Sequence, residues 1–153
     1  MKLSYRFVAA ALLLFAASNI FAGGGEKWLS FNDGLAKAKK ENKFMLVDFY
    51  TDWCGWCKKM DTDTYSNKEV LDYLDSHFVM VKLNPETDGD VTFMGQSYPA
   101  GQFAKSAGVS GYPATGFFDD KGEFIGLQPG YIPAENFMQL LKYVVAKEYE
   151  NQN

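Results

Sequence analysis

A short, nearly continuous apolar run, Phe44-Met-Leu-Val-Asp-Phe-Tyr50, lies in the first half of the chain, and two cysteines follow it at Cys54 and Cys57. An apolar run of this length without alternation is typical of a strand that is buried on both faces of a sheet. A second run, Phe78-Val-Met-Val-Lys-Leu83, predicts another buried strand. Because helices must cover both faces of such a sheet, the two runs favour an α/β architecture.

The segments around these runs have helical or irregular patterns. Residues 30–41 have helical composition with a possible cap at Asn32, and Asn67 can cap a later helix. Residues 84–99 contain Pro, Gly, Asp and Ser without periodicity, so they predict a loop or an insertion.

The last third of the chain predicts a short helix, a hairpin and a final helix. We expect the short helix at 101–107 and the hairpin at 114–127, with Pro133 in the first turn of the final helix. The apolar stripe of that helix consists of Phe137, Leu140, Leu141, Val144 and Val145. The order of elements predicts a central mixed sheet with helices on both faces.

The first 22 residues have the pattern of a secretory signal peptide. A basic start with Lys2 and Arg6 precedes an apolar run at 7–17, and Ala22 suits the position before a cleavage site. The run has about 11 residues, fewer than the ~20 that a membrane-spanning helix needs. An uncleaved membrane anchor is the alternative. We expect a signal peptide at 1–22, one domain at 23–153, and export, in bacteria to the periplasm.

The charge of the mature domain argues against nucleic-acid binding. Arg6 is the only arginine, and cleavage after Ala22 leaves 13 basic and 19 acidic residues, a net charge of −6. An acidic domain without arginine lacks the side chains that bind phosphates best. We therefore expect no nucleic-acid partner.

The chemistry is concentrated in Cys54-Gly55-Trp56-Cys57. At a helix start, free N–H groups and the positive end of the helix dipole favour a thiolate at Cys54, which is the nucleophile in disulfide exchange. Cys57, one turn into the helix, can attack the resulting mixed disulfide and should be more shielded. Trp53 and Trp56 offer an apolar surface to a partner polypeptide.

Three other uses of the cysteines compete with a redox site. An inert disulfide would close only a small loop and contribute little stabilisation. A zinc site needs four ligands, and the chain adds only His77 to the two thiolates. Copper(I) needs fewer soft ligands, but the six methionines are spread along the chain. A metal- or peptide-binding module without enzymatic activity is therefore the alternative to a redox site.

Three segments together resemble the thioredoxin superfamily. Residues 47–58 are similar to its active-site segment, 81–84 to its next central strand, and 109–114 to its loop with a cis-proline. The resemblance covers about residues 27–148 and implies a thioredoxin fold, thiol-disulfide exchange with protein partners, and no bound cofactor or metal. Residues 57–70 resemble the exported group that includes the C-terminal domain of a transmembrane thiol reductase.

By this resemblance, Asp48 matches a buried carboxylate behind the second cysteine, and Lys82 matches the neighbour of that carboxylate. Burial raises the pKa of a carboxyl group, so Asp48 can carry the proton of Cys57. The alternatives are that Asp48 binds local backbone or pairs with Lys82, and that the Lys82 stem only reaches to solvent.

The resemblance also implies the substrate-binding residues. They are Trp53, Gly55, Trp56, Tyr112 and Pro113. We expect a cis peptide bond between Tyr112 and Pro113, with the Tyr112 backbone pairing with an extended substrate. We expect the protein to act as a monomer.

The residues around the cysteines predict the direction of electron flow. Gly55 and Trp56 bring no charge, Asp48 and Asp52 oppose a thiolate, and Lys58 offsets them only in part. A weakly stabilised thiolate favours a reductant or an intermediate over a strong oxidant. An exported reductant must be recharged, which implies a membrane thiol reductase as electron donor.

Overall fold

A five-stranded sheet lies at the centre of residues 27–152, the part of the chain that this computed structural model describes. The predicted signal peptide, residues 1–22, lies outside the described residues. The strands are β1 (Trp28–Leu29), β2 (Phe44–Phe49), β3 (Phe78–Leu83), β4 (Val91–Phe93), β5 (Gln96–Tyr98), β6 (Ala114–Phe118) and β7 (Phe124–Pro129). The helices are α1 (Phe31–Glu41), α2 (Gly55–Asp63), α3 (Lys68–His77), α4 (Ala100–Ser106) and α5 (Ala134–Val145), followed by a short 3-10 helix (Glu148–Gln152).

The central sheet has the strand order β1-β3-β2-β6-β7. The strands β1 and β2 run parallel to β3, whereas β6 is antiparallel to β2 and β7 is antiparallel to β6. The predicted mixed sheet is confirmed. The strand β1 was not predicted, because its two residues are too few for any periodicity.

Helices cover both faces of the sheet, as predicted. On one face α1 and α4 pack against Met45, Val47 and Phe49 of β2, and on the other α2, α3 and α5 pack against Leu46. Successive side chains of a strand point to opposite faces. Asp48, two residues after Leu46, therefore points to the face that α2 covers.

The predicted cap of α1 is wrong. Ser30 is the N-cap, because its side chain accepts the Asp33 N–H, and Asn32 lies within the first turn. The Asn32 amide instead donates to the Asp90 carbonyl at 3.1 Å and accepts the Thr92 N–H at 2.8 Å, which ties α1 to the 84–99 segment. The other predicted cap, Asn67 at the start of α3, is confirmed, because its side chain accepts two backbone N–H groups of that helix.

The segment 84–99 is more regular than predicted, because it contains the two-stranded hairpin β4–β5. Each of its strands has three residues, too few for a recognisable alternation. Met94 and Gly95 form the turn with φ values of 51° and 78°, the left-handed region that tight hairpin turns require. Phe93 and Tyr98 anchor the hairpin by packing against the core.

The C-terminal elements agree with the prediction. The helix α4, the hairpin β6–β7 and the helix α5 occur in the expected order. Pro133 is the N-cap of α5, one residue before the first turn in which it was predicted. Phe137, Leu141 and Val144 of α5 are buried, whereas Leu140 and Val145 are only half-buried. No helix within residues 27–152 combines the length and the apolar character that crossing a bilayer demands.

Candidate active site

Cys54 and Cys57 form a disulfide at the start of α2, with an S–S distance of 2.08 Å. Residues 51–54 form a turn between β2 and α2, in which the Cys54 N–H donates to the Thr51 carbonyl at 3.2 Å. This turn makes Cys54 the N-cap of α2, and its Sγ accepts the Cys57 N–H at 3.0 Å. The Cys54 sulfur thus lies where unpaired N–H groups and the helix dipole favour negative charge.

The two cysteine residues are equally buried in this oxidised form. Cys54 and Cys57 are each 4% exposed. The expected greater shielding of Cys57 is therefore absent in the disulfide form, in which the bond ties both residues to the start of α2. Their different positions on the helix, at the N-cap and one turn inside, remain the distinction between them.

Asp48 is a buried carboxylate that pairs with Lys82. It is 2% exposed, and its Oδ2 lies 3.3 Å from the Lys82 Nζ, whereas its Oδ1 has no hydrogen-bond partner among the described residues. The two residues are directly opposed in the β2–β3 register. Burial raises the pKa of Asp48 to about 7, against the lowering effect of Lys82, and the charge of Asp61 raises it further.

Lys82 joins Asp48 to a second carboxylate that the sequence reasoning missed. Its Nζ lies 2.6 Å from Asp61 Oδ1 and about 5 Å from the ring centres of Trp28 and Tyr50. Burial lowers the pKa of Lys82, but the two carboxylates outweigh burial and hold it above its ordinary value. Asp61 was detectable in principle, because it lies one helical turn after Cys57.

One face of α2 places Cys57 on the same side of the sheet as the carboxylates of Asp48 and Asp61. Cys57, Met60 and Asp61 have the spacing that places side chains on a common helix face. Met60 packs in the same core cluster as Leu46, on the side of the sheet to which Asp48 points. Asp48 and Lys82 therefore lie beneath the helix that carries Cys57.

Large exposed aromatic side chains surround the disulfide. Trp53 is 67% exposed and Trp56 is 59% exposed. The Trp53 indole N–H donates to Glu86 Oε2 at 3.0 Å, and its ring meets Tyr112 edge-on with centroids 6.0 Å apart. The Trp56 ring lies 5.5 Å from that of Tyr131. Such a fixed apolar surface is unusual unless it serves contact with a partner.

Glu86 is a second residue of the site that the sequence did not reveal. It lies in the 84–99 segment, where the buried Asn84 side chain accepts the Glu86 N–H at 3.0 Å. The Asn84 N–H in turn donates to Asp88 Oδ2 at 2.8 Å. This turn holds the Glu86 carboxylate beside Trp53, a placement that has no local sequence pattern.

The structure places the remaining predicted substrate-binding residues around the same surface. The Tyr112–Pro113 peptide bond is cis, as predicted. The Pro113 carbonyl accepts the Gly130 N–H at 2.9 Å, which ties this loop to the end of β7. Gly55 begins α2, and a side chain there would project into open space.

His77 lies away from the cysteines. It ends α3, and its ring packs against Tyr73 with centroids 4.4 Å apart. Within residues 27–152, no three His, Cys, Asp or Glu side chains are grouped as a metal site requires.

A disulfide at the N-terminus of a helix, directly after the central strand of a mixed α/β sheet and beside a cis-proline loop, defines a thioredoxin-like redox domain. The family model described as a thioredoxin-like domain matches residues 31–145. The chain belongs to this family.

Curated relatives carry names from disulfide chemistry. The thiol:disulfide interchange protein DsbD of Vibrio cholerae is 34% identical over 90 residues, which cover 58% of this chain and 13% of that protein. A protein disulfide-isomerase of Zea mays is 27% identical over 113 residues, which cover 74% of this chain and 19% of that protein. The chain thus spans less than a fifth of the length of these relatives.

Solved structures share the fold. A thioredoxin from Thermus thermophilus has a TM-score of 0.65 at 24% identity, covering 79% of this chain and 88% of its own. The oxidised C-terminal domain of Neisseria meningitidis DsbD has a TM-score of 0.55 at 24% identity, covering 72% of this chain and 89% of its own. At these identities the likeness establishes the thioredoxin fold.

Proposed function

We propose that this protein is a thiol-disulfide oxidoreductase that exchanges disulfides with protein partners through Cys54 and Cys57. One observation carries the proposal: the two cysteines form a disulfide at the N-terminus of α2, with the buried Asp48 beneath the same helix. The relatives named for thiol:disulfide interchange and disulfide isomerisation support the same chemistry.

The reaction begins from the dithiol form. The Cys54 thiolate, stabilised at the N-cap, attacks one sulfur of a partner disulfide. A bond forms between Cys54 and the partner, the partner's S–S bond breaks, and the partner's other sulfur leaves as a thiolate that takes a proton from water.

Cys57 completes the exchange. Its thiol gives a proton to the Asp48 carboxylate, and its sulfur attacks the Cys54 sulfur. The Cys54–Cys57 bond forms, the bond to the partner breaks, and the second partner thiolate leaves. The partner gains two electrons, and the protein returns to the disulfide form.

Asp48 acts as the proton carrier for Cys57. With its pKa raised to about 7, the carboxyl group is charged in about half of the molecules near neutral pH. It can therefore accept the proton in one direction of exchange and return it in the other. Lys82 stabilises the charged form of Asp48, and Asp61 fixes the position of the Lys82 ammonium group.

The partner binds across the aromatic surface around the disulfide. Trp53 and Trp56 supply apolar area on either side of Gly55, whose missing side chain leaves room for the partner's cysteine. The Tyr112 backbone beside Pro113 pairs with an extended segment of the partner. Polypeptides with accessible cysteines are the substrates that this surface fits.

We expect a reducing potential. The neighbours Gly55 and Trp56 supply no charge, and the buried Asp48 opposes a second negative charge. The reduction potential becomes more reducing by about 30 mV for every ~1.4 kcal/mol of thiolate stabilisation that is lost. Equilibration in glutathione buffers, followed by alkylation and mass measurement, should place the pair nearer to ~−270 mV than to ~−120 mV. A value at the oxidising end would reverse the assigned direction, and a membrane thiol reductase would then not be the donor.

The same preparation tests the alternative of a metal-binding module. Protein purified under reducing conditions should convert fully between dithiol and disulfide in these buffers. Stoichiometric metal that persists in the purified dithiol form, together with resistance to oxidation, would favour the binding module instead.

We also propose that residues 1–22 direct export and are removed, leaving a monomeric domain in the periplasm or an equivalent oxidising compartment. N-terminal sequencing of the protein recovered from the periplasmic fraction of a bacterial host should begin at Gly23. Recovery of the intact N-terminus from the membrane fraction would support the anchor instead.

A further inference from the structure

Three buried oxygen atoms lie beneath α2 without a hydrogen-bond partner among the described residues. They are Asp48 Oδ1, the Tyr65 hydroxyl oxygen and the Thr115 hydroxyl oxygen. Their residues are 2%, 5% and 0% exposed, so bulk water does not reach them. Buried polar atoms in folded proteins nearly always have a partner, and an ordered internal water supplies it where no protein group does.

The fold brings these atoms to one place. Asp48 and Thr115 are directly opposed across the antiparallel strands β2 and β6. Opposed residues point to the same face of the sheet, with Cβ atoms about 5 Å apart. Tyr65 follows α2 and packs in the core on that face, with Leu46 and Phe117 as members of the same cluster.

The electrostatics are consistent with this proximity. Burial raises the pKa of Tyr65 well above its ordinary value, and the charge of Asp48 raises it further, whereas the nearby Thr115 hydroxyl lowers it as a hydrogen-bonding group. The two hydroxyls are thus near each other, although they do not have the geometry of a formed hydrogen bond. Both Asp48 and Thr115 therefore lie near enough to the Tyr65 hydroxyl to shift its pKa.

We infer that Asp48 Oδ1 and the hydroxyls of Tyr65 and Thr115 bind one internal water molecule, through which Tyr65 and Thr115 act as positioning residues for the Asp48 carboxyl group. The role in catalysis rests on the proposed function, because it concerns the proton that Asp48 exchanges with Cys57. The water site itself does not depend on that function.

A water between hydroxyl groups suits a carboxyl group that changes its charge. Hydroxyls and water both donate and accept, so the water can donate to the Asp48 carboxylate and, after reorienting, accept from the protonated acid. The Lys82 ammonium group contacts the other carboxylate oxygen, Oδ2. The site thus offers both oxygens of Asp48 a partner in either state.

Other charged or titratable groups also face Asp48, and they contribute to its pKa in the wild type and in every variant. Lys82 of β3 favours the anion, whereas Asp61 of α2 disfavours it. Tyr50, which directly follows β2, and Cys57, which is buried on α2, lie on the same side. Replacing a hydroxyl near Asp48 leaves these groups unchanged.

Tyr65→Phe and Thr115→Val keep the shape of the buried side chains and remove one hydroxyl each. Each variant should weaken the hydrogen bonding of the anion, because the water loses a partner that orients it towards Oδ1. We expect the midpoint of the Asp48 titration to rise by about one pH unit, a ~10-fold change in proton affinity. Carboxyl NMR of the oxidised protein measures this midpoint without any exchange reaction.

The half-buried Tyr73 of α3 provides the matched control. Tyr73→Phe removes a hydroxyl outside this group and should leave the Asp48 midpoint unchanged. A high-resolution crystal structure should contain one water bonded to all three oxygens, and Thr115→Val should lose it. A midpoint that does not move in either hydroxyl variant, or a dry site, would overturn the inference.

The two proposals fail separately. If the midpoint rises but the protein catalyses no disulfide exchange, the water site stands and the proposed function falls. If exchange is efficient but the midpoint stays constant, Tyr65 and Thr115 have no positioning role, and only this inference falls.

Discussion

Replacing Cys54 by serine should abolish disulfide exchange, whereas replacing Cys57 should produce a protein that accumulates mixed disulfides with its partners. Cys54 lies at the N-cap, where the helix favours a thiolate, so it alone should start the reaction. Without Cys57 nothing resolves the intermediate, and the bond between Cys54 and the partner persists. Activity assays and non-reducing electrophoresis with mass mapping measure the two outcomes.

Loss of the fold should not complicate these variants. The disulfide joins residues with a sequence separation of 3, and so small a loop contributes little to stability. In the reduced wild-type protein, Cys54 should be alkylated before Cys57 near neutral pH. Faster labelling of Cys57, or trapped partners on Cys54→Ser, would contradict the assigned roles.

Replacing Asp48 by asparagine should slow the resolving step by about 10²–10⁴-fold near neutral pH, since the proton acceptor for Cys57 is lost. In the wild type, this step should accelerate as the pH rises through about 7, where Asp48 loses its proton. The variant should lack that pH dependence. Single-turnover decay of a preformed mixed disulfide, followed as a function of pH, measures both effects.

The same substitution should make the protein more stable at neutral pH. The pKa of Asp48 is higher in the folded protein than its ordinary value of 3.8, so its charged form destabilises the fold. This penalty is absent below pH ~4, grows as the pH rises, and is complete above pH ~7. At about 1.4 kcal/mol per pKa unit, Asp48→Asn should raise the unfolding free energy by a few kcal/mol at pH 8.

Asp72→Asn is the matched control for both measurements. Asp72 is an exposed carboxylate on α3, where it binds Lys68 at 2.5 Å. Its replacement removes a surface ion pair, so it should leave the rate of resolution unchanged and should not give the stabilisation at neutral pH that Asp48→Asn gives. An Asp48→Asn variant with wild-type rates across the pH range would leave Asp48 a purely structural group.

Much of the fold was predictable because the informative patterns are local. The apolar runs identified β2 and β3, and Asn67 marked the start of α3. The cysteine pair also lies where the sequence placed it, at the start of a helix that follows a buried strand. Each of these features depends on residues that are close together in the chain.

What the sequence did not reveal depends on contacts between distant segments. Asp61 on α2 belongs to the site because the Lys82 side chain, from β3, donates a hydrogen bond to it. Glu86 matters through its hydrogen bond to Trp53, and Asn32 through its bonds to the 84–99 segment. A composition of Pro, Gly and Asp gave no sign that this segment forms a hairpin, because packing against the core fixes its short strands.

The most direct test of the central claim is multiple turnover. A reporter protein with an accessible disulfide, kept in excess over this protein and supplied with dithiothreitol, should be reduced many times per molecule, at a rate proportional to the concentration of this protein. Cys54→Ser should return the rate to that of dithiothreitol alone. Reduction of no more than one disulfide per molecule, or an equal rate with Cys54→Ser, would show that the Cys54–Cys57 pair does not catalyse thiol-disulfide exchange.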